Sequence, residues 1–140
     1  MNRVTVLIID DDELDRYLLT RDLSKTGIEA KIFESTDGAE ALNFLRAYDE
    51  NKRLHGEDFP PVLIFLDINM PRVNGFEFLK EFEALRNHDN VYHTCVVMMF
   101  SSSERPDERK RALAHDFVAD FIVKGRTRAD ELEEKILKLL

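Results

Sequence analysis

At 140 residues the chain is the size of one domain, and its apolar fraction of 44% can fill a core while 34% charged residues coat a solvated surface. The formal net charge of −8 argues against a nucleic-acid binder, which would carry a basic patch for phosphates, and no segment reaches the roughly 20 apolar residues that insert into a bilayer. Cys95 is the only cysteine, which excludes a disulfide framework and a cysteine zinc cluster and fits a cytoplasmic setting.

The first predicted element is a strand over residues 4–9, a nearly continuous apolar run without the cleavage site of a signal peptide. Leu14, Tyr17 and Leu18 open a helix, and Gly27 reads as its stop. A weaker strand follows over 30–33 and suits a sheet edge. Asp37-Gly38 reads as a turn into a helix marked by Ala41, Leu42, Leu45 and Tyr48. Residues 50–61 are polar at first, end in Phe59-Pro60-Pro61, and read as a long surface loop. A buried strand is predicted over 62–66, then a helix carrying Phe78, Leu79, Phe82 and Leu85. Residues 95–100 form the fourth strand, 106–115 a shorter helix with Pro106 in its first turn, and 117–123 the fifth strand. Leu132, Ile136 and Leu139 mark the last helix. Five strands alternating with five helices predict right-handed crossovers and one parallel sheet covered on both faces.

Ligands of such a sheet bind beyond the carboxyl ends of its strands, where the strand order reverses. The polar residues at those ends are Asp10, Asp11 and Asp12 after the first strand and Asp67 after the third. Ser101, Ser102 and Ser103 follow the fourth, and Lys124 the fifth. Carboxylates crowded together repel one another, and a hard divalent cation such as Mg²⁺ resolves the repulsion with oxygen ligands. A carboxylate such as Asp67 can attack phosphorus to give an aspartyl phosphate. Mg²⁺, the Lys124 ammonium and the Ser101 hydroxyl would then balance charge on the phosphoryl oxygens. Blander roles compete with these. Asp12 suits a helix N-cap, Ser103 a cap for the following helix, and Phe121 plain core packing. His55, His88, His93 and His115 lack metal-ligand spacing and are assigned no role.

The segments Ile8-Ile9-Asp10-Asp11-Asp12, Leu66-Asp67-Ile68-Asn69-Met70-Pro71-Arg72-Val73-Asn74-Gly75, Met99-Phe100-Ser101-Ser102-Ser103 and Phe121-Ile122-Val123-Lys124 resemble the receiver domain of two-component response regulators. The resemblance runs from Val4 to the C-terminus. It implies an α/β, flavodoxin-like (CheY-like) doubly wound fold with a five-stranded parallel sheet of order 2-1-3-4-5. Asp67 matches the phospho-acceptor, and Asp10 and Asp11 the acidic pair that holds Mg²⁺. Asn69 matches the position whose backbone carbonyl completes the metal site, Ser101 the switch hydroxyl and Lys124 the phosphate-pairing lysine. Phe121 falls where the family places an aromatic that rotates inward on activation. Asn69 and Ser103 fall where the family tunes hydrolysis of the phosphoryl group.

The implied function is a single receiver domain over residues 1–140 without an output domain, acting as a phospho-acceptor rather than an enzyme. It would take a phosphoryl group from a sensor histidine kinase or a histidine phosphotransfer protein. It would then relay that group, or switch binding to a downstream protein through the surface of the fourth helix, fifth strand and fifth helix, as a monomer or a phosphorylation-dependent dimer. One departure stands out. The family usually has proline after the lysine, often in a cis bond, and Gly125 stands there instead. A cis bond before a non-proline residue costs roughly 2.5–4 kcal/mol, so a trans Lys124–Gly125 bond with a rearranged loop is expected. The alternative function is a pseudo-receiver, an interaction module that needs no phosphorylation. A Mg²⁺-dependent phosphatase would want a second carboxylate where Asn69 stands, and a flavodoxin would repel the FMN phosphate with its acidic strand ends.

Overall fold

Side chains alternate between the two faces of a strand, and that alternation sorts the core into two layers. The computed structural model describes residues 3–140. Its parallel strands are β1 (Arg3–Ile9), β2 (Glu29–Ser35), β3 (Leu63–Leu66), β4 (Val96–Ser101) and β5 (Val118–Val123), paired in the order β2-β1-β3-β4-β5. This is the expected order, with the weakly apolar β2 at an edge and half-exposed.

Leu7, Ile9, Ile64, Leu66, Val97 and Met99 face one side of the sheet and pack against α2 (Gly38–Arg46), α4 (Gly75–His88) and α5 (Pro106–Leu113). Val6, Ile8, Phe65, Met98 and Ile122 face the other side and pack against α1 (Glu13–Ser24) and α6 (Ala129–Leu137). Burying such a side chain stabilises the fold by about 1.5–3 kcal/mol, so the sheet is anchored far more firmly than the loops at its ends. Among the described residues no helix is long and apolar enough to cross a membrane.

The described chain has six helices, not five. Residues 50–61 are not the expected loop, because α3 (Tyr48–His55) and a 3-10 turn (Gly56–Asp58) occupy most of that stretch. Tyr48 therefore opens a new helix rather than closing α2, and the chain kinks at Ala47. The helix escapes periodicity because it lacks an apolar stripe. It rests instead on Asp49 and Glu50 in the first turn, basic residues in the last, and the buried Asn51, which donates to the Phe44 carbonyl at 2.7 Å. Gly56, at φ 58°, ends it in a conformation that glycine adopts without strain. The first helix ends at Ser24 with Lys25 as its cap, two residues before the stop read at Gly27.

Candidate functional site

The order of strands reverses between β1 and β3, and the carboxyl ends of these two neighbours place Asp10 beside Asp67. Asp10 is tied down at several atoms. Its N–H donates to the Ser35 carbonyl at 3.1 Å, its Oδ1 accepts from the Asp12 N–H at 3.0 Å, and its carbonyl accepts from Arg16 at 2.7 Å. Asp12 is the N-cap of α1, as expected, accepting from the N–H groups of Leu14 and Asp15. Asp67 extends β3 by donating its N–H to the Ile9 carbonyl at 3.0 Å, and its Oδ1 accepts from the Ile68 N–H at 2.8 Å. That leaves Oδ2 without a backbone partner, facing the Lys124 ammonium at 3.4 Å.

Oxygens of Asp10, Asp11 and Asp67 lie within 4.8 Å of one another, with Asp10 and Asp67 buried and Asp11 exposed. The Lys124 ammonium neutralises part of this charge, 2.7 Å from Asp10 Oδ2, 2.8 Å from Asp15 Oδ2 and 3.4 Å from Asp67 Oδ2. Burial and the neighbouring Asp10 charge push the Asp67 carboxyl up to about 6, against the pull of Lys124 and the Ile68 N–H. Burial likewise raises Asp10 above the ordinary carboxylate range, in spite of its bond to Lys124. Burial works against the Lys124 ammonium, but its bonds to Asp10 and Asp15 and the charge of Asp67 outweigh it and hold its pKa above the ordinary value. With all three ionised, Asp10, Asp11 and Asp67 against one ammonium leave a charge of −2 uncompensated, and an all-oxygen donor set of this kind fits a hard divalent cation such as Mg²⁺.

The loop that carries Asp67 into α4 is held from three sides. The Gly75 N–H donates to the Ile68 carbonyl at 2.8 Å, and Asn74 with Glu77 forms a capping box at the start of α4. Arg72 adopts a left-handed φ of 64° and forks onto the buried Asp37 at 2.8 and 3.1 Å, holding that carboxyl below its usual range. The strain of that φ is borne by the two-pronged bond. Asn69 sits exposed on this loop, two residues past Asp67.

Ser101 ends β4 fully buried, with its Oγ accepting from the Ser103 N–H at 3.1 Å and its carbonyl from the Lys124 N–H at 2.8 Å. Ser103 is not the cap of α5, which is Arg105; its hydroxyl instead donates to Glu108 and accepts from the Arg105 N–H. Phe121 lies inside the core already, opposite Met99 in the sheet, with the Arg109 guanidinium 5.8 Å from its ring. The Lys124–Gly125 bond is trans, as expected: among the described residues Phe59–Pro60 is the one cis bond. Gly125 turns the loop at φ 78°, which proline cannot adopt.

Two participants escaped the sequence reading. Asp15, in the first turn of α1, grips Lys124 across a gap of more than a hundred residues, and the Asp37–Arg72 pair braces the acceptor loop. Asp15 sits in the first turn of α1, three residues after the cap Asp12, and nothing in the sequence states that Lys124 reaches it.

Comparison with known proteins agrees with this geometry. The family described as the response regulator receiver domain matches residues 6–137. A protein-glutamate methylesterase/protein-glutamine glutaminase of Xanthomonas campestris is 38% identical over 125 residues, covering 88% of this chain and 30% of that protein. The transcriptional regulatory protein PrrA of Mycobacterium bovis is 35% identical over 113 residues, 81% of this chain and 42% of that protein. The chain thus spans about a third of the length of the curated methylesterases it matches. A crystal structure of a two-component response regulator from Cytophaga hutchinsonii superposes with a TM-score of 0.80 at 29% identity, covering 99% of this chain and 98% of that one. The chain belongs to the response regulator receiver domain family.

Proposed function

We propose that this receiver domain takes a phosphoryl group onto Asp67 from a phosphohistidine of a sensor histidine kinase or histidine phosphotransfer protein. The observation that carries the reading is the Asp67 carboxylate, with oxygens of two further carboxylates within 4.8 Å and its Oδ2, which takes no backbone bond, 3.4 Å from the Lys124 ammonium. The side chains of Asp10, Asp11 and Asp67 and the backbone carbonyl of Asn69 would hold Mg²⁺, which supplies positive charge for the phosphoryl oxygens.

An electron pair of Asp67 Oδ2 forms the new O–P bond as the P–N bond to the donor imidazole breaks, and the imidazole leaves with those electrons and takes up a proton. The Ile68 N–H keeps Oδ1 occupied, so one oxygen of the carboxylate is presented. Lys124 pairs with the phosphoryl oxygens, and the Ser101 hydroxyl, whose proton is not engaged by its bond from Ser103, donates to them. Drawing Ser101 toward the phosphoryl group alters its packing near Phe121. That change is carried to the surface of α5, β5 and α6, the fourth helix, fifth strand and fifth helix of the family. The output is altered binding of a downstream protein, by a monomer or a phosphorylation-dependent dimer, or onward relay of the phosphoryl group. No reaction on another substrate is implied, and the cytoplasm, where ATP charges phosphohistidines, is the setting.

The test is incubation with acetyl phosphate, read by intact mass after rapid quenching. The expected result is one phosphoryl adduct that requires Mg²⁺ and is lost in Asp67→Asn. No adduct from acetyl phosphate or from a panel of histidine kinases would overturn the reading and favour a phosphorylation-independent interaction module.

A further inference from the structure

The Lys124 ammonium has three protons and meets three carboxylates, and these are not equivalent. Asp10 and Asp67 belong to the cluster of close carboxylates. Asp15 does not. It stands on the first turn of α1, anchored by its N–H to Asp12 Oδ1 at 3.3 Å, and it accepts a hydrogen bond from Lys124 Nζ at 2.8 Å. The lysine tip is well covered, with its side chain 14% exposed, so its ammonium is not simply surrendered to water. Asp10 and Asp67, two of its three partners, would also be ligands of a divalent cation, whose charge would repel the ammonium. Asp15 is the partner that remains.

We propose that Asp15 is a positioning residue that holds Lys124 beside the acceptor in the unphosphorylated protein and competes with the phosphoryl group for it. The inference rests on the acceptor reading of Asp67. Because one ammonium charge is shared between Asp15 and the phosphoryl oxygens, the part that Asp15 neutralises is subtracted from the affinity of the site for the phosphoryl group. Asp15 thereby sets how firmly the phosphorylated state is held, without touching the reacting atoms. A half-buried pair of this kind is expected to alter that affinity about fivefold.

The experiment is a fluorescence or NMR titration with beryllofluoride, a mimic of the phosphoryl group, at a Mg²⁺ concentration saturating for every variant. Asp15→Asn keeps the shape of the side chain and removes its charge, and it is expected to bind beryllofluoride about fivefold more tightly than the wild type. Asp22→Asn serves as the control for a general loss of negative charge, since Asp22 shares the groove between α1 and the Lys124 loop and pairs with Arg21 instead; it is expected to leave the affinity unchanged. Unchanged or weaker binding by Asp15→Asn, or an equal gain in Asp22→Asn, would overturn the inference while leaving Asp67 as acceptor. A wild type that binds no beryllofluoride would overturn the acceptor reading and this inference with it.

Discussion

Gly75→Ala is expected to destabilise the protein by about 3 kcal/mol, as overpacking against unyielding atoms does. A Cβ at position 75 would lie 2.3 Å from the Asp67 carbonyl oxygen, 2.8 Å from Ile68 Cα and 3.1 Å from the Asp67 carbonyl carbon. All three are backbone atoms of the acceptor loop, so relief requires moving the loop itself. The same shift displaces the Asp67 carboxylate, and misplacement of a reacting group on the order of 1 Å slows a reaction roughly a hundredfold. Urea denaturation and the rate of phosphoryl adduct formation check both effects. Gly27→Ala is the control, because its Cβ would meet only the movable carboxylate of Glu133, 3.2 Å away. Equal losses in the two variants would show that the loop is softer than its packing implies.

Asp67→Asn is expected to stabilise the metal-free protein at neutral pH while abolishing its chemistry. The native carboxyl is pushed up to about 6 by burial and by the charge of Asp10, above the 3.8 of an ordinary aspartate. A raised carboxyl pKa favours the protonated form in the folded state. The wild type therefore keeps its full stability below about pH 3.8 and loses part of it as pH rises through about 6. Asparagine does not ionise, so the advantage of the variant is nil at low pH and reaches about 2–3 kcal/mol above pH 7. Denaturation in EDTA at pH 4 and pH 7.5 measures the difference. Saturating Mg²⁺ is expected to shrink it, because the cation stabilises the wild type and finds one carboxylate fewer in the variant. A variant less stable than the wild type in EDTA at pH 7.5 would mean that the Lys124 contact outweighs the cost of burying the charge.

The sheet was legible because its central strands are almost continuously apolar, and residues such as Ile8, Ile64 and Met98 have few other places to go, while the weaker β2 fell at the edge. The four strand-end residues Asp10, Asp67, Ser101 and Lys124 followed from that sheet, since parallel topology alone brings carboxyl ends together. Helix α3 was not legible. It has no apolar stripe, and its stability comes from charge placement and from Asn51 reaching the end of α2, neither of which periodicity reports. Asp15 and the Asp37–Arg72 brace were missed for a different reason. They are contacts between side chains on separate elements, and a sequence does not state which face of α1 meets the Lys124 loop. The glycine after Lys124 was a departure visible in the sequence, and the structure supplies its physical content: a trans bond and a left-handed turn in place of a proline.

The central claim is that Asp67, rather than a neighbouring carboxylate, carries the phosphoryl group, and reductive trapping tests it most directly. Borohydride reduces an acyl phosphate to the alcohol, so an aspartyl phosphate becomes homoserine and the site is read from peptide masses. After acetyl phosphate and Mg²⁺, the account predicts homoserine at position 67 and unmodified aspartate at positions 10, 11 and 15. Homoserine at any of those three with residue 67 intact, or an adduct that resists borohydride altogether, would contradict it.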